Sequence, residues 1–304
     1  MTFFSTVKAA LDSLIAGICA HRGVSRDVAL QMAGTHLKNM SVEWRSGRTP
    51  TIAYGDPLCR FAYLYCHTPA NANICDLFIR SDPATAAFIV ERLNRAEELR
   101  VCAFGGGPGT ELLALTKFLR RAHGKDAITA HGEVVFTLLD NVPEWVESWG
   151  ALETAIKADF ARDYGVRRAW PFTISKSFQP FDMTHVEQYA NLNQLLIQDL
   201  YILNYVVSEI LGENAPLQGL INLMVDHAPM GGRFVIIDRD QDGISDRAET
   251  LLRNAGLTLT PIQKSTTNMD GDEQMADLGD YLNSIGWSPR VKWNGAFCVI
   301  GTKS

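Results

Sequence analysis

The sequence contains no Cys-x-x-Cys pair, no internal repeat, no low-complexity tract and no excess of positive charge. Each absence excludes something. Its six cysteines have no paired spacing, and a chain of 304 residues can bury a full core without covalent staples. Reduced thiols and a cytoplasmic location are therefore expected. The group Cys59, Cys66, His67 and Cys75 matches none of the common zinc-ligand spacings and reads as buried thiols. A net charge of −6 and a pI of about 5.7 give no global attraction for nucleic acid, although a local basic groove stays open. No apolar run reaches the roughly 18 residues that span a bilayer, and Asp12 interrupts the N-terminal apolar stretch. No membrane partner is expected.

What is present falls into two textures. Residues 1–97 read as helical and strand-poor. Val7, Leu11, Leu14, Ile15 and Ile18 recur at helical spacing, and Ser25 can cap a second helix. Ser81-Asp82-Pro83 opens another helix that runs to about Glu97. From residue 98 to 304, apolar strand candidates alternate with helices. They are 100–104, 134–140, 199–203, 233–237, 257–261 and 296–301, with a shorter strand-like piece at 172–174. That alternation predicts an α/β fold with an open, mostly parallel sheet covered on both faces. Residues 263–294 read as a partly helical insertion. Such sheets bind ligands at the carboxyl ends of their strands, so the residues just after each strand are the ones to inspect.

After the first strand stands Gly105-Gly106-Gly107-Pro108-Gly109, followed by a helix from Glu111. Glycines let a ligand lie against the backbone, and a helix N-terminus offers free N–H groups and a positive dipole end. Gly109 follows Gly107 by two residues, whereas the nicotinamide fingerprint Gly-x-Gly-x-x-Gly requires three. The second strand ends at Asp140, which can accept hydrogen bonds from a ribose diol or cap the following helix. Asp182 can meet an adenine amino group or cap a helix. The fourth strand runs out through Asn204, Tyr205, Ser208 and Glu209.

In order and spacing, the Gly105–Gly109 turn, Asp140, the stretch 199–209, the segment 231–237 and the terminal strand 297–301 resemble the class I S-adenosylmethionine-dependent methyltransferases. The resemblance covers about residues 98–304. It implies a seven-stranded, Rossmann-like sheet whose last strand runs antiparallel, preceded by an N-terminal helical extension acting as a lid. It also implies an S-adenosylmethionine site. The methionine part would lie over the turn of Gly105, Gly106, Gly107 and Gly109, the ribose on Asp140 and the adenine near Asp182, with Asn141 and Asn204 as further cofactor-binding residues. Two departures stand out. Family members often carry an acidic residue two before the first glycine, and here that residue is Ala103. Glu111 is expected to point along its helix, away from the turn. Asn204-Tyr205 also lacks the two prolines typical of many amino-group methylating members.

Transfer from a sulfonium chiefly needs alignment of the acceptor and exclusion of water, with a base where the acceptor holds its proton tightly. Tyr205 and Glu209, together with His67 from the extension, are the candidate catalytic residues, with Ser208, Tyr63 and Tyr65 near the transfer site; His67 reads more readily as a packed or capping histidine, and the two tyrosines as half-buried aromatics. The acceptor is open, with a lean toward a small molecule or protein. A faint likeness at 199–210 to a ribosome-associated family keeps an RNA acceptor as an alternative. Ala103 keeps a non-catalytic donor-binding or assembly protein as another.

A second motif runs from Asp238 to Glu249. Asp238, Asp240, Asp242, a glycine at 243 and Glu249 have the spacing of a calcium-binding loop. A strand rather than a helix precedes it, so an acidic turn that caps the next helix is the alternative. Calcium is carried forward as an expectation.

Overall fold

The structure, a computed structural model, describes residues 2–46, 50–125, 127–129, 132–164, 172–210, 212, 214–241, 243–266, 269–292 and 295–304. Five helices come first: α1 (Phe3–Arg22), α2 (Arg26–Glu43), α3 (Pro57–Cys66), α4 (Thr68–Ser81) and α5 (Pro83–Asn94). Local chemistry sets their ends. Thr2 and Ser5 form a reciprocal cap on α1, and Gly23 closes that helix in the left-handed region. Asp82 accepts from the Thr85 N–H at 2.8 Å, and Pro83 occupies the first turn of α5.

The alternating part follows as β1 (Glu98–Phe104), α6 (Thr110–Gly124), β2 (Gly132–Asp140), α7 (Trp145–Tyr164) and β3 (Phe172–Pro180). Two short 3₁₀ turns precede β4 (Leu200–Asn204), α8 (Asn214–His227), β5 (Arg233–Arg239) and α9 (Ile244–Asn254). The chain ends with β6 (Thr258–Leu259), β7 (Gln263–Ser265), α10 (Gly271–Ile285) and β8 (Ala296–Thr302). The sheet order is β3-β2-β1-β4-β5-β8-β6, with β7 also on β8; β1 to β5 run parallel and β8 runs antiparallel to β5. This is the mostly parallel, Rossmann-like sheet with an antiparallel last strand that the resemblance implies.

Two expectations need correction. Among the described residues the sheet has eight strands rather than seven, because a short strand, β7, opens the segment 263–294 read as a partly helical insertion, and the strand expected at 257–261 is cut short. Pro261 has no N–H for a ladder, so β6 stops at Leu259 and pairing on β8 resumes at Gln263. The strand-like 172–174 extends to Pro180, through a polar run read as non-strand. It lies on the sheet edge, paired only with β2, where side chains need not be apolar.

Strand side chains alternate between two cores. Val101 and Ala103 face a cluster shared with α1 to α4, α6, α7 and α10, while Cys102 and Phe104 face the cluster with α8 and α9. Buried side chains of the N-terminal helices thus belong to the same core as one face of the sheet. The 263–294 segment joins them through α10. The Tyr281 hydroxyl donates to Asp12 at 2.6 Å, and a Cβ at Gly34 would lie 2.5 Å from the Ile285 carbonyl oxygen. Helix α1 is long and apolar enough to cross a bilayer by composition, but Phe3, Phe4, Val7 and Leu11 are spent on this core.

Candidate functional site

Strand β1 ends in a turn that only glycine fits well. Gly105, Gly107 and Gly109 all have positive φ, at 62°, 49° and 89°. A Cβ on Gly109 would lie 2.4 Å from the Trp149 ring, and one on Gly105 would lie 2.8 Å from a Val206 methyl. Asp140, arriving on β2, fixes the turn: one oxygen accepts from Gly107 N–H at 2.8 Å and the other from Val142 N–H at 3.0 Å. Burial is the main cause that pushes its carboxyl up to about 6.

The end of β4 repeats this construction. Gly105 N–H donates to the Leu139 carbonyl and Tyr205 N–H to the Ile237 carbonyl, both at 2.7 Å. Tyr205 has φ 62°, a left-handed value rare for a tyrosine. Asp238 on β5 takes the part of Asp140, accepting from Ser208 N–H at 2.8 Å. Arg247 donates to the Val207 and Ile210 carbonyls at 2.8 and 3.0 Å, tying down the rest of the loop.

This accounts for the acidic loop. Asp238 is wholly buried beneath the β4 turn, Asp240 pairs with Lys264 at 2.9 Å, and Glu249 pairs with Arg253 at 2.5 Å. Asp242 lies outside the described residues. Among the described residues no three metal-ligating side chains converge, so the calcium expectation is withdrawn.

Between the two turns lies a cavity of about 330 Å³. Gly105, Gly107, Asp140, Asn141, Asp182 and Glu209 all line it. Asp182 also accepts from Thr184 N–H at 2.9 Å, so it caps a short turn while facing the cavity. Gly106, Gly109, Asn204, Tyr205 and His67 stand outside the lining. His67 is the clearest displacement from expectation. Its ring packs edge-on against Trp44, with centroids 4.7 Å apart, and burial drives its pKa down to about 3. It is a neutral packing residue behind Tyr63.

Glu111 also differs from expectation. Rather than pointing along α6, it turns back beneath the glycine turn: one oxygen accepts from the Asn204 side-chain N–H at 2.8 Å. The other lies 3.0 Å from where a Cβ on Gly106 would stand. Glu111 is buried, and burial pushes its carboxyl up to about 7. Glu111 Oε2 and Asn204 Oδ1 are both buried acceptors with no hydrogen-bond donor among the described residues. The sequence carried one signal of this, an acid at the head of the otherwise apolar run Leu112–Leu115.

Sequence reasoning placed Tyr63 near the transfer site but missed Tyr54 and Trp145, with which it forms an aromatic wall. Tyr54, Tyr63 and Trp145 line the cavity and pack on one another, with ring centroids 5.1 to 5.7 Å apart. Glu209 sits in the same space. Burial, then Asp238 and Asp140, push its carboxyl up to about 8, against the opposing Arg239 and a hydrogen bond from Trp44.

No protein-family model and no curated protein matches the chain. Among solved structures it is similar to an O-methyltransferase family protein from Burkholderia thailandensis, 15% identical over 89% of this chain and 68% of that one, TM-score 0.42. It is also similar to a precorrin-6y C5,15-methyltransferase from Geobacter metallireducens, 14% identical over 72% and 88%, TM-score 0.39. A third is the plantazolicin methyltransferase BpumL in complex with SAH, 12% identical over 91% and 96%, TM-score 0.37. Likeness at this level carries no argument about activity; the geometry of this chain has to supply it.

Proposed function

We propose that this protein is an S-adenosylmethionine-dependent methyltransferase. The observation that carries the reading is a pair of buried acceptors without donors, Glu111 Oε2 and Asn204 Oδ1, which lie behind the glycine turn, outside the lining of the cavity that the turn bounds. Buried acceptors of this kind are costly unless a ligand supplies N–H groups. The α-ammonium of S-adenosylmethionine supplies three. Glu111 then does the work of the acid that Ala103 cannot provide. Asp140 and Asn141 would receive the ribose and Asp182 the adenine amino group. When bound, the donor brings an electrophilic methyl group on sulfur. The protein's part is to hold the acceptor in line with it and keep water out.

The N-terminal extension supplies Pro50, Ile52, Tyr54 and Tyr63 to the cavity, which supports a covering role for that segment. The described lining includes Asp140, Asp182 and Glu209 but no Lys, Arg or His. That disfavours an RNA acceptor, whose phosphates need cations, and supports the lean toward a small molecule. A cytoplasmic location agrees with six free thiols. The non-catalytic alternative rested on Ala103, and Glu111 weakens it. Calorimetric titration with S-adenosylhomocysteine is the test. Saturable binding that weakens about tenfold in Glu111→Gln supports the reading, and absence of binding at about 1 mM removes it.

A further inference from the structure

We propose that the acceptor is a small organic amine, held with its nitrogen on Glu209 and its body against the rings of Tyr54, Tyr63 and Trp145. The inference rests on the methyltransferase reading and goes on to name its substrate class.

Three observations converge on it. The first is charge. With Asp140 on the ribose side and Asp182 on the adenine side, Glu209 is the remaining lining carboxylate, and no cation among the described lining residues can pair an anionic acceptor. A carboxylate or phosphate ester would enter against three acids. The second is the wall. Tyr54 and Trp145 lie 5.1 Å apart at 46°, and Tyr63 meets both rings at steeper angles, so aromatic surface bounds the space that Glu209 faces. Such surface attracts an ammonium through the ring quadrupole and accepts apolar carbon equally well. The third is how Glu209 is held. It leaves a loop pinned by Asp238 and Arg247, so its carboxyl is presented by a fixed backbone.

The chemistry balances with residues at hand. As the ammonium form of the amine binds, Glu209 releases its own proton to solvent; the resulting carboxylate then takes one N–H proton from the ammonium, which frees the nitrogen lone pair. That pair forms the new N–C bond as the C–S pair passes to sulfur. A carboxyl whose affinity for protons is raised near neutrality by burial suits the exchange, and Asp238, Asp140, Arg239 and Trp44 are the groups that set it.

The test is calorimetry on the full chain saturated with S-adenosylhomocysteine. The probes are benzylamine and n-butylamine, each beside its alcohol and carboxylate counterparts. The amines should bind at least about tenfold more tightly than their counterparts. Glu209→Gln should abolish that preference while S-adenosylhomocysteine affinity stays unchanged, which shows an intact fold. Equal binding of alcohol or carboxylate, failure of both amines to bind, or an unaltered preference in Glu209→Gln overturns the assignment. If S-adenosylhomocysteine binds without an amine preference, only the acceptor class is lost. If it does not bind, the methyltransferase reading is lost.

Discussion

The turns after β1 and β4 are built alike and furnished differently. In each, the residue after the strand has φ 62° and donates to a carbonyl of a neighbouring strand, while an aspartate in the last two residues of that neighbour, Asp140 or Asp238, holds an amide of the turn. After β1 the turn is glycine, and the backbone itself is the surface that faces the cavity. After β4 the same path carries Tyr205, Val206, Ser208 and Glu209. One turn makes room for a ligand and the other supplies walls and a carboxyl. The same backbone device thus gives a floor or a wall according to whether a Cβ is present.

Substitutions can break that comparison, and the largest effect belongs to the floor. Gly109→Ala places a Cβ 2.4 Å from the buried Trp149 ring at φ 89°, and overpacking plus strain should cost about 2–4 kcal/mol. A thermal midpoint lowered by several degrees in differential scanning calorimetry would show it; an unchanged midpoint would mean the turn tolerates side chains. Next comes Asp238→Ala, which leaves the Ser208 N–H unpaired in a buried setting and should cost about 1–3 kcal/mol in urea unfolding. If it costs nothing, the second turn is not held as the first is.

The folded carboxyls of Asp140, Glu111 and Glu209, at about 6, 7 and 8, lie above their ordinary values of 3.8, 4.5 and 4.5. A raised carboxyl keeps in the folded state a proton that the unfolded chain has released. Its contribution to stability is therefore full below about pH 4 and declines toward the folded pKa. Glu209→Gln removes the last of these, so its thermal midpoint should gain on wild type as pH rises from about 5 to 8. A constant difference across that window would contradict the raised value. The smallest effect concerns the acidic loop. Because Asp238 serves the β4 turn, calcium and a chelator should leave the thermal midpoint alike, and a calcium-dependent rise would reopen that site.

Much of this architecture was legible in the sequence because it rests on local patterns. Apolar strands alternating with helices gave the sheet, and glycine spacing gave the turn. What was not legible depended on where a side chain goes once the chain has folded. Glu111 lies beneath the glycines and is bonded there to Asn204, 93 residues away on another strand, a pairing no local pattern shows. Asp238 fits a calcium pattern by spacing and is taken by a neighbouring loop instead. Tyr54 and Trp145 belong to a loop and a helix start with no pattern of their own, and meet only in three dimensions. His67 looked chemically able and is packed away.

The central claim is that Glu111 replaces the missing acid at the glycine turn. Titration of S-adenosylhomocysteine onto wild type and Glu111→Gln tests it most directly. Wild type should bind with a dissociation constant below about 1 mM, the variant about tenfold more weakly, a loss of about 1.4 kcal/mol, with no fall in thermal midpoint. Equal affinity for the two proteins would contradict the claim.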